Sequence, residues 1–449
     1  MIHTFKYDSL FIALDVESGA VHCVDETAFA ILEAMERGIP RAEALELAAE
    51  RFGESAANEV MQELIELECE RVLGAPEVVV PVPTDSPVKS MCLNVAHDCN
   101  LRCRYCFASE GGYGEKRALM SAETGKKALE FLMEHSGGRH NLEVDFFGGE
   151  PMMNIDVVKE LTAYGRELEK KYDKKIAFTI TTNCVIMDDE TVEFFDREMK
   201  NVVISVDGRK EVHDAMRPTA NGKGSFDIVM NNAKKLGLAR QKAEKEYYIR
   251  GTFTNKNLDF DRDVLFLADE GFEQISIEPA VLEKGSPYEL TERELPEIFD
   301  RYDRLAKEFY ERRKNGKWFN FFHFMIDLED GPCVAKRLKG CGAGSEYVAV
   351  TPSGDIYPCH QFVGDEKFKM GSVLTGEIDE NKREYYRGCT VRTKPACSKC
   401  WAKYYCSGGC LANAQHINGD IYRPFELACK MLKKRLECAI GIYIQEHAE

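Results

Sequence analysis

The stretch Met91–Phe107, MCLNVAHDCNLRCRYCF, constrains this chain more than any other. Its apolar start, Met91–Ala96, predicts a buried strand. The strand runs into a loop that holds Cys99, Cys103 and Cys106 in the spacing C-x3-C-x2-C. A 4Fe–4S cluster ordinarily takes four thiolates. Three thiolates this close can hold three irons of one cube and leave the fourth open to another ligand. Zinc is the competing reading of clustered cysteines. Structural zinc is usually closed by four ligands, and His97 is the only histidine beside this loop. Disulfides need an oxidising compartment, and nothing in the sequence points to one.

Downstream, apolar strands alternate with amphipathic helices. The pattern predicts strands at 91–96, 142–147, 176–181, 202–206, 247–253 and 274–278. It predicts helices near 122–134, 155–171, 189–197, 225–239, 260–270 and 291–313. Repeated β/α units imply a parallel sheet with its site at the C-terminal ends of the strands. Phe146-Phe147-Gly148-Gly149-Glu150-Pro151 follows the second strand, Thr181-Thr182-Asn183 the third and Ser205-Val206-Asp207-Gly208 the fourth. A bare Gly-Gly is most often a turn, and short polar residues at strand ends are often helix caps.

The cysteine loop closely resembles the cluster motif of radical S-adenosylmethionine (SAM) enzymes, with Tyr105 at the aromatic position before the third cysteine. The resemblance implies that SAM chelates the open iron through its amino and carboxylate groups. An electron then cleaves SAM to methionine and a 5′-deoxyadenosyl radical, which takes a hydrogen atom from the substrate. It also sharpens the fold to a partial (β/α)6 barrel. By the same resemblance Gly148, Gly149 and Glu150 hold the SAM amino group, Thr182 and Asn183 line the pocket, and Ser205 lies near the carboxylate. Arg217, in HDAMRP, either pairs with that carboxylate or is an ordinary surface arginine. Asp207 and Glu278 are strand-end carboxylates whose role stays open.

The C-terminal part carries Cys341, Gly354 and Cys359, then Cys397, Cys400, Cys406 and Cys410, and after a gap Cys429. Paired CxxC spacings are also common in zinc sites. The order resembles the seven-cysteine pattern of SPASM domains, which carry two auxiliary 4Fe–4S clusters. That resemblance assigns Cys341, Cys359 and Cys410 to a first auxiliary cluster and Cys397, Cys400, Cys406 and Cys429 to a second. The first then lacks one ligand; either Cys333 supplies it or the position is open to substrate. Cys23, Cys69, Cys92, Cys184, Cys389 and Cys438 are expected to be packed thiols.

Before the barrel, Phe11–Val16 and Val21–Val24 flank the turn signal Glu17-Ser18-Gly19, a predicted hairpin. Three helical segments follow: Glu26–Arg37, one from Pro40, and Ala56–Val72. This predicts a winged-helix-like module. A DNA-binding role is disfavoured because residues 1–80 hold 17 acidic against 5 basic side chains, which phosphate would repel. The module instead resembles the recognition element of enzymes that modify ribosomally made peptides, where the leader adds as a strand to the sheet edge. Gly74–Pro87, with Pro76, Pro81, Pro83 and Pro87, reads as a semi-extended linker.

The expected fold is therefore α/β in four parts. A recognition module at 1–80 and a linker at 81–90 precede the partial (β/α)6 barrel at 91–310 and a cysteine-rich SPASM domain at 311–449. The 449 residues are 44% hydrophobic with net charge −17, without an apolar run long enough for a membrane span. The N-terminus MIHTFKYDSL lacks a secretory pattern. A cytoplasmic chain without nucleic-acid or membrane partners is expected. Together the motifs resemble radical SAM/SPASM peptide maturases, most closely those of SCIFF peptides. The implied cofactors are SAM and three 4Fe–4S clusters. The implied partners are a Cys-rich precursor peptide with its leader and an electron donor such as ferredoxin or flavodoxin. The implied reaction joins a peptide cysteine sulfur to a backbone α-carbon of threonine, a sactionine thioether. Rival readings are an anaerobic sulfatase maturase, a relative making carbon–carbon bonds or thioethers elsewhere on the side chain, and a non-catalytic electron carrier or zinc adaptor.

Overall fold

A computed structural model describes residues 1–82, 85–329 and 331–447; Pro83, one of the linker prolines, lies outside the described residues. The chain opens with a three-stranded antiparallel sheet of β1 (Ile2–Tyr7), β2 (Leu10–Asp15) and β3 (Val21–Val24). Helices α1 (Glu26–Glu36), α2 (Arg41–Phe52) and α3 (Glu54–Cys69) follow. Asp25 starts α1 by accepting the Ala28 N–H at 2.7 Å, an N-cap typical of acidic residues. β1 was not foreseen. Four of its first five residues after Ile2 are buried, His3 and Thr4 among them, so it lacks the alternation of a half-exposed strand. It is covered by α1 and also by the C-terminal helix Glu426–His447, a distant partner the sequence pattern could not reveal.

That covering seats the N-terminal module on the cysteine-rich region. Lys403 Nζ donates to Glu17 Oε1 at 2.6 Å and the Tyr404 hydroxyl to Oε2 at 3.1 Å, all three side chains being buried. The His3 ring stacks on Trp401 at 3.9 Å. The linker is held along the same surface, with Arg392 Nη1 donating to the Val80 carbonyl at 2.7 Å. β3 is left as an edge strand, paired only with β2 among the described residues.

The main sheet contains β4 (Ser90–His97), β5 (Ala118–Leu119), β6 (Asn141–Gly148), β7 (Lys175–Thr182), β8 (Asn201–Ser205), β9 (Glu246–Phe253) and β10 (Gln274–Pro279). All but β5 are parallel and lie side by side in chain order. Between them run α4 (Ala122–His135), α5 (Ile155–Tyr172), α6 (Asp189–Glu198), α7 (Lys210–Met216), α8 (Phe226–Lys242) and α9 (Phe260–Asp269), and α10 (Leu295–Lys314) follows. This is the six-fold β/α arrangement expected from the sequence. β4 is buried at every position, as a strand covered on both faces must be. β7 alternates instead: Ile176, Phe178 and Ile180 are buried, while Thr179 and Thr181 are half-buried on the other face. Each buried large apolar side chain contributes about 1.5–3 kcal/mol.

The sheet does not stop at the barrel. β11 (Asn320–Phe321) adds parallel to β10, and β12 (Tyr347–Val350) adds parallel to β4. β13 (Asp355–Tyr357), β14 (Gly371–Ser372) and β15 (Glu377–Ile378) continue antiparallel from β12. The cysteine-rich region thus extends the barrel sheet, and residue 311 lies inside α10 rather than at a break. Among the described residues no helix is long and apolar enough to cross a membrane.

Candidate cluster and SAM site

A cavity of about 570 Å³ opens at the C-terminal ends of the parallel strands. Cys99, Cys103 and Cys106 line it together with Gly148, Gly149, Glu150, Thr182, Asn183, Ser205 and Arg217. The cysteine loop is pinned from outside: Arg102 and Arg104 donate their N–H groups to the carbonyls of Pro218 and Met216 at 2.8 and 2.9 Å. A tight turn brings the Cys106 N–H to the Cys103 carbonyl at 3.2 Å. Burial, then Glu150 and the neighbouring thiols, push Cys99 up to about 12. Burial raises Cys103 to about 11.

The Gly-Gly-Glu turn lies directly beneath that loop. Gly149 N–H donates to the Ala96 carbonyl at 2.7 Å and Glu150 N–H to the Asp98 carbonyl at 2.9 Å. A side chain at Gly149 would place its Cβ 2.2 Å from the Asp98 oxygen, and Gly148 has φ +128°. Only glycine fits either position. Glu150 is buried and accepts from the Thr182 hydroxyl at 2.7 Å, from the Asn183 N–H at 2.7 Å and from the Met152 N–H at 3.1 Å. Burial raises its carboxyl to about 7. Asn183 Nδ2 in turn donates to Asn100 Oδ1 at 2.6 Å.

Arg217 is buried, which removes the surface reading. Its Nε lies 3.0 Å from Asp207 Oδ1, and its guanidinium sits 5.4 Å over the Tyr105 ring. Burial works against its charge, but Asp207 holds it above the ordinary range. Asp207 is committed inside the protein: it also accepts from the Tyr105 hydroxyl at 2.7 Å and the Thr252 N–H at 2.9 Å. It fastens the cysteine loop to β9. Glu278 lines the cavity and pairs with Arg250 at 2.6 Å.

The C-terminal thiols fall into two groups. Burial raises Cys359 above the ordinary thiol range, with Cys410 and Cys341 adding to the shift. Cys397, Cys400, Cys406 and Cys429 line a separate hollow of about 250 Å³. Burial and its three partners push Cys429 up to about 12, and burial lifts Cys397 to about 11. Cys333 is exposed at the start of the short helix Val334–Arg337. Of the expected packed thiols, Cys92, Cys184, Cys389 and Cys438 are buried. Cys23 and Cys69 are not: one lies on edge strand β3 and the other at the last residue of α3.

These residues fit iron–sulfur clusters and SAM. Neighbouring buried thiols are costly to ionise alone, and a metal that displaces their protons removes that cost. Asn100 Nδ2, next to Cys99, is buried without a partner, and the two glycines leave backbone open to a ligand. His97 does not serve as a fourth metal ligand here. It packs 4.7 Å from the Tyr113 ring, its Nδ1 lies 3.4 Å from Glu115, and burial lowers it to about 4. Among the described residues no group of three or more His, Cys, Asp or Glu side chains is gathered tightly enough for a single ion.

The strands contribute further cavity residues that sequence reasoning missed: Asp145, Thr179, Asn201, Arg250, Thr252 and Tyr347. Their signal was present. Most occupy the alternate positions of β6–β9, polar where their neighbours are apolar, which marks a strand with one face toward a wet cavity. Reading the strands as continuous apolar runs concealed it.

Residues 93–246 match the radical SAM superfamily, and residues 341–401 match the SPASM iron–sulfur cluster-binding domain. A cysteine-type anaerobic sulfatase-maturating enzyme of Clostridium novyi is 27% identical over 71% of this chain and 86% of its own length. The mycofactocin maturase MftC of Mycolicibacterium smegmatis is 26% identical over 73% of this chain and 79% of its own. The structure of the sulfatase-maturating enzyme anSMEcpe with bound AdoMet superposes with TM-score 0.66 at 20% identity, covering 80% of this chain and 95% of that one. Streptococcus suis SuiB bound to its precursor peptide SuiA gives TM-score 0.53 at 19% identity, covering 93% of this chain and 96% of that one.

Proposed function

From a chain that joins a radical SAM domain to a SPASM domain, we propose an enzyme that crosslinks a ribosomally made Cys-rich peptide. It joins a cysteine sulfur to a threonine α-carbon and removes two hydrogens from the peptide per crosslink. When bound, the cluster and SAM supply a hydrogen-abstracting 5′-deoxyadenosyl radical. Cys99, Cys103 and Cys106 hold that cluster. Glu150, positioned by Thr182 and the Asn183 N–H, receives the SAM amino group as a carboxylate. Ser205 and Arg217 face the SAM carboxylate, with Asp207 fixing Arg217 and Tyr105. Cys397, Cys400, Cys406 and Cys429 close a second cluster. Cys341, Cys359 and Cys410 hold a third and leave one position for a substrate thiol. An acidic leader-binding module, residues 1–80, captures the peptide along the free edge of β3.

The observation that carries this reading is the edge strand β3 in a module fastened to the cysteine-rich region by the buried Glu17–Lys403 pair. A peptide held there is tethered near the thiol groups instead of diffusing to them. Maturation of a sulfatase is the second reading, favoured by the names of the sulfatase-maturating relatives. The test is anaerobic incubation with SAM, dithionite and either a Cys-rich precursor or a sulfatase peptide. A precursor lighter by two hydrogens per crosslink, with the sulfatase peptide unchanged, supports the first reading; the opposite selectivity supports the second.

A further inference from the structure

On a protein of net charge −17, residues 392–435 hold nine Lys and Arg against two Asp and Glu. Part of that excess rings the hollow of Cys397, Cys400, Cys406 and Cys429. Lys399, Lys430 and Lys433 all line the hollow, as does Glu426. Lys399 and Lys430 are exposed and Lys433 is half-buried. Lys430 pairs with Glu292 at 2.6 Å, and Lys399 and Lys433 make no ion pair among the described residues. Lys403, by contrast, is buried on Glu17 and faces the N-terminal module. Cys400, Cys406 and Cys429 are only part-buried, so a metal centre held by this set lies near the surface, beneath the lysines.

We propose that this lysine rim is the docking surface for a small acidic one-electron carrier protein. The proposal rests on the assignment of Cys397, Cys400, Cys406 and Cys429 to a metal cluster and deepens it by locating where electrons enter. Charge complementarity selects the occupant. An acidic carrier is repelled by most of this molecule and attracted to one place, which steers it there and raises its association rate. On docking, the reduced carrier loses one electron and the metal centre beneath the rim gains it. Each SAM cleaved consumes one electron, so the carrier is the reductant for turnover.

The experiment compares the native holoenzyme with K399E/K430E/K433E, using flavodoxin as the probe. Binding of oxidised flavodoxin is followed by biolayer interferometry across a salt series. Carbodiimide crosslinking of the native pair is mapped by mass spectrometry. The expected results are native binding that weakens with salt, crosslinks at Lys399, Lys430 or Lys433, and a fall in association rate of about tenfold or more in the variant. The control K170E/K171E, on the far surface of α5, binds as native. Iron content and dithionite-driven SAM cleavage stay native in the triple variant, while flavodoxin-driven cleavage falls. Crosslinks confined to other lysines, or native-rate binding by the triple variant, overturn the proposal, as does native enzyme that binds no flavodoxin. Loss of dithionite-driven cleavage in the native enzyme would instead count against the radical SAM reading.

Discussion

Two regions of this molecule gather thiols, and they do it by different routes. Cys99, Cys103 and Cys106 sit in one loop between β4 and β5, its shape set by one tight turn and by hydrogen bonds to residues 216–220. Cys341, Cys359 and Cys410, and the group closing at Cys429, come from segments brought together only after β12, β13 and the helix Glu426–His447 are in place. The first set is prepared by local geometry and borrowed barrel strands. The second is a set of cross-links, in which bound metal closes long stretches of chain and so contributes to folding itself.

The largest expected effect breaks the local site. Replacing Cys99, Cys103 and Cys106 together with alanine removes about four of about twelve irons and abolishes SAM cleavage. The thermal midpoint of the metal-free protein changes little, because the loop ties no distant elements together. Iron analysis, 5′-deoxyadenosine release and calorimetry check the three parts.

Next in size is damage to the cross-links. Cys429→Ala loses the second auxiliary cluster and costs the holoprotein about 2–5 kcal/mol, the scale of a lost covalent cross-link. Chemical denaturation of holo and metal-free protein measures it, and an equal loss in both forms argues against a structural role for the metal. Cys333→Ala sharpens the same region: it keeps about twelve irons and still forms the thioether. Loss of the first auxiliary cluster in that variant, or peptide-bound coordinates with Cys333 sulfur on iron, rules out substrate ligation.

A smaller effect separates recognition from chemistry. Truncation before Pro81 impairs modification of full-length peptide and spares uncoupled SAM cleavage. Native-rate modification by the truncated enzyme contradicts the role given to residues 1–80.

The smallest effect concerns the seat of that module. His3 is raised above its ordinary 6.5: burial opposes its charge, but hydrogen bonds to Glu36 and Glu437 outweigh it. A raised histidine stabilises fully below about 6.5 and loses that contribution as pH rises through its folded value. Glu36 is held below 4.5; burial opposes this, and His3 and Thr4 prevail. Its contribution is present above about 4.5 and is lost as pH falls through its folded value. Hydrogen exchange in β1 is therefore slowest between about pH 4.5 and 6.5. His3→Gln flattens the alkaline side of that profile.

Legibility followed the same division. The motif Met91–Phe107, the Gly-Gly-Glu turn and the β/α alternation are short-range patterns, and the elements lie within a residue or two of the predicted places. Long-range pairings did not show. β1 is covered by a helix from the far end of the chain, β12 extends the barrel sheet across the expected domain boundary, and Arg217 turns inward onto Asp207. None of these leaves a period in the sequence, because each depends on a partner more than a few residues away.

The most direct test is incubation of reconstituted enzyme with SAM, dithionite and a Cys-rich precursor peptide deuterated at its threonine α-carbons. The account predicts deuterium in the released 5′-deoxyadenosine and a peptide that has lost one cysteine-thiol hydrogen and one α-deuterium per crosslink. Unlabelled 5′-deoxyadenosine, or a cysteine side chain oxidised to an aldehyde with every α-deuterium retained, would contradict it.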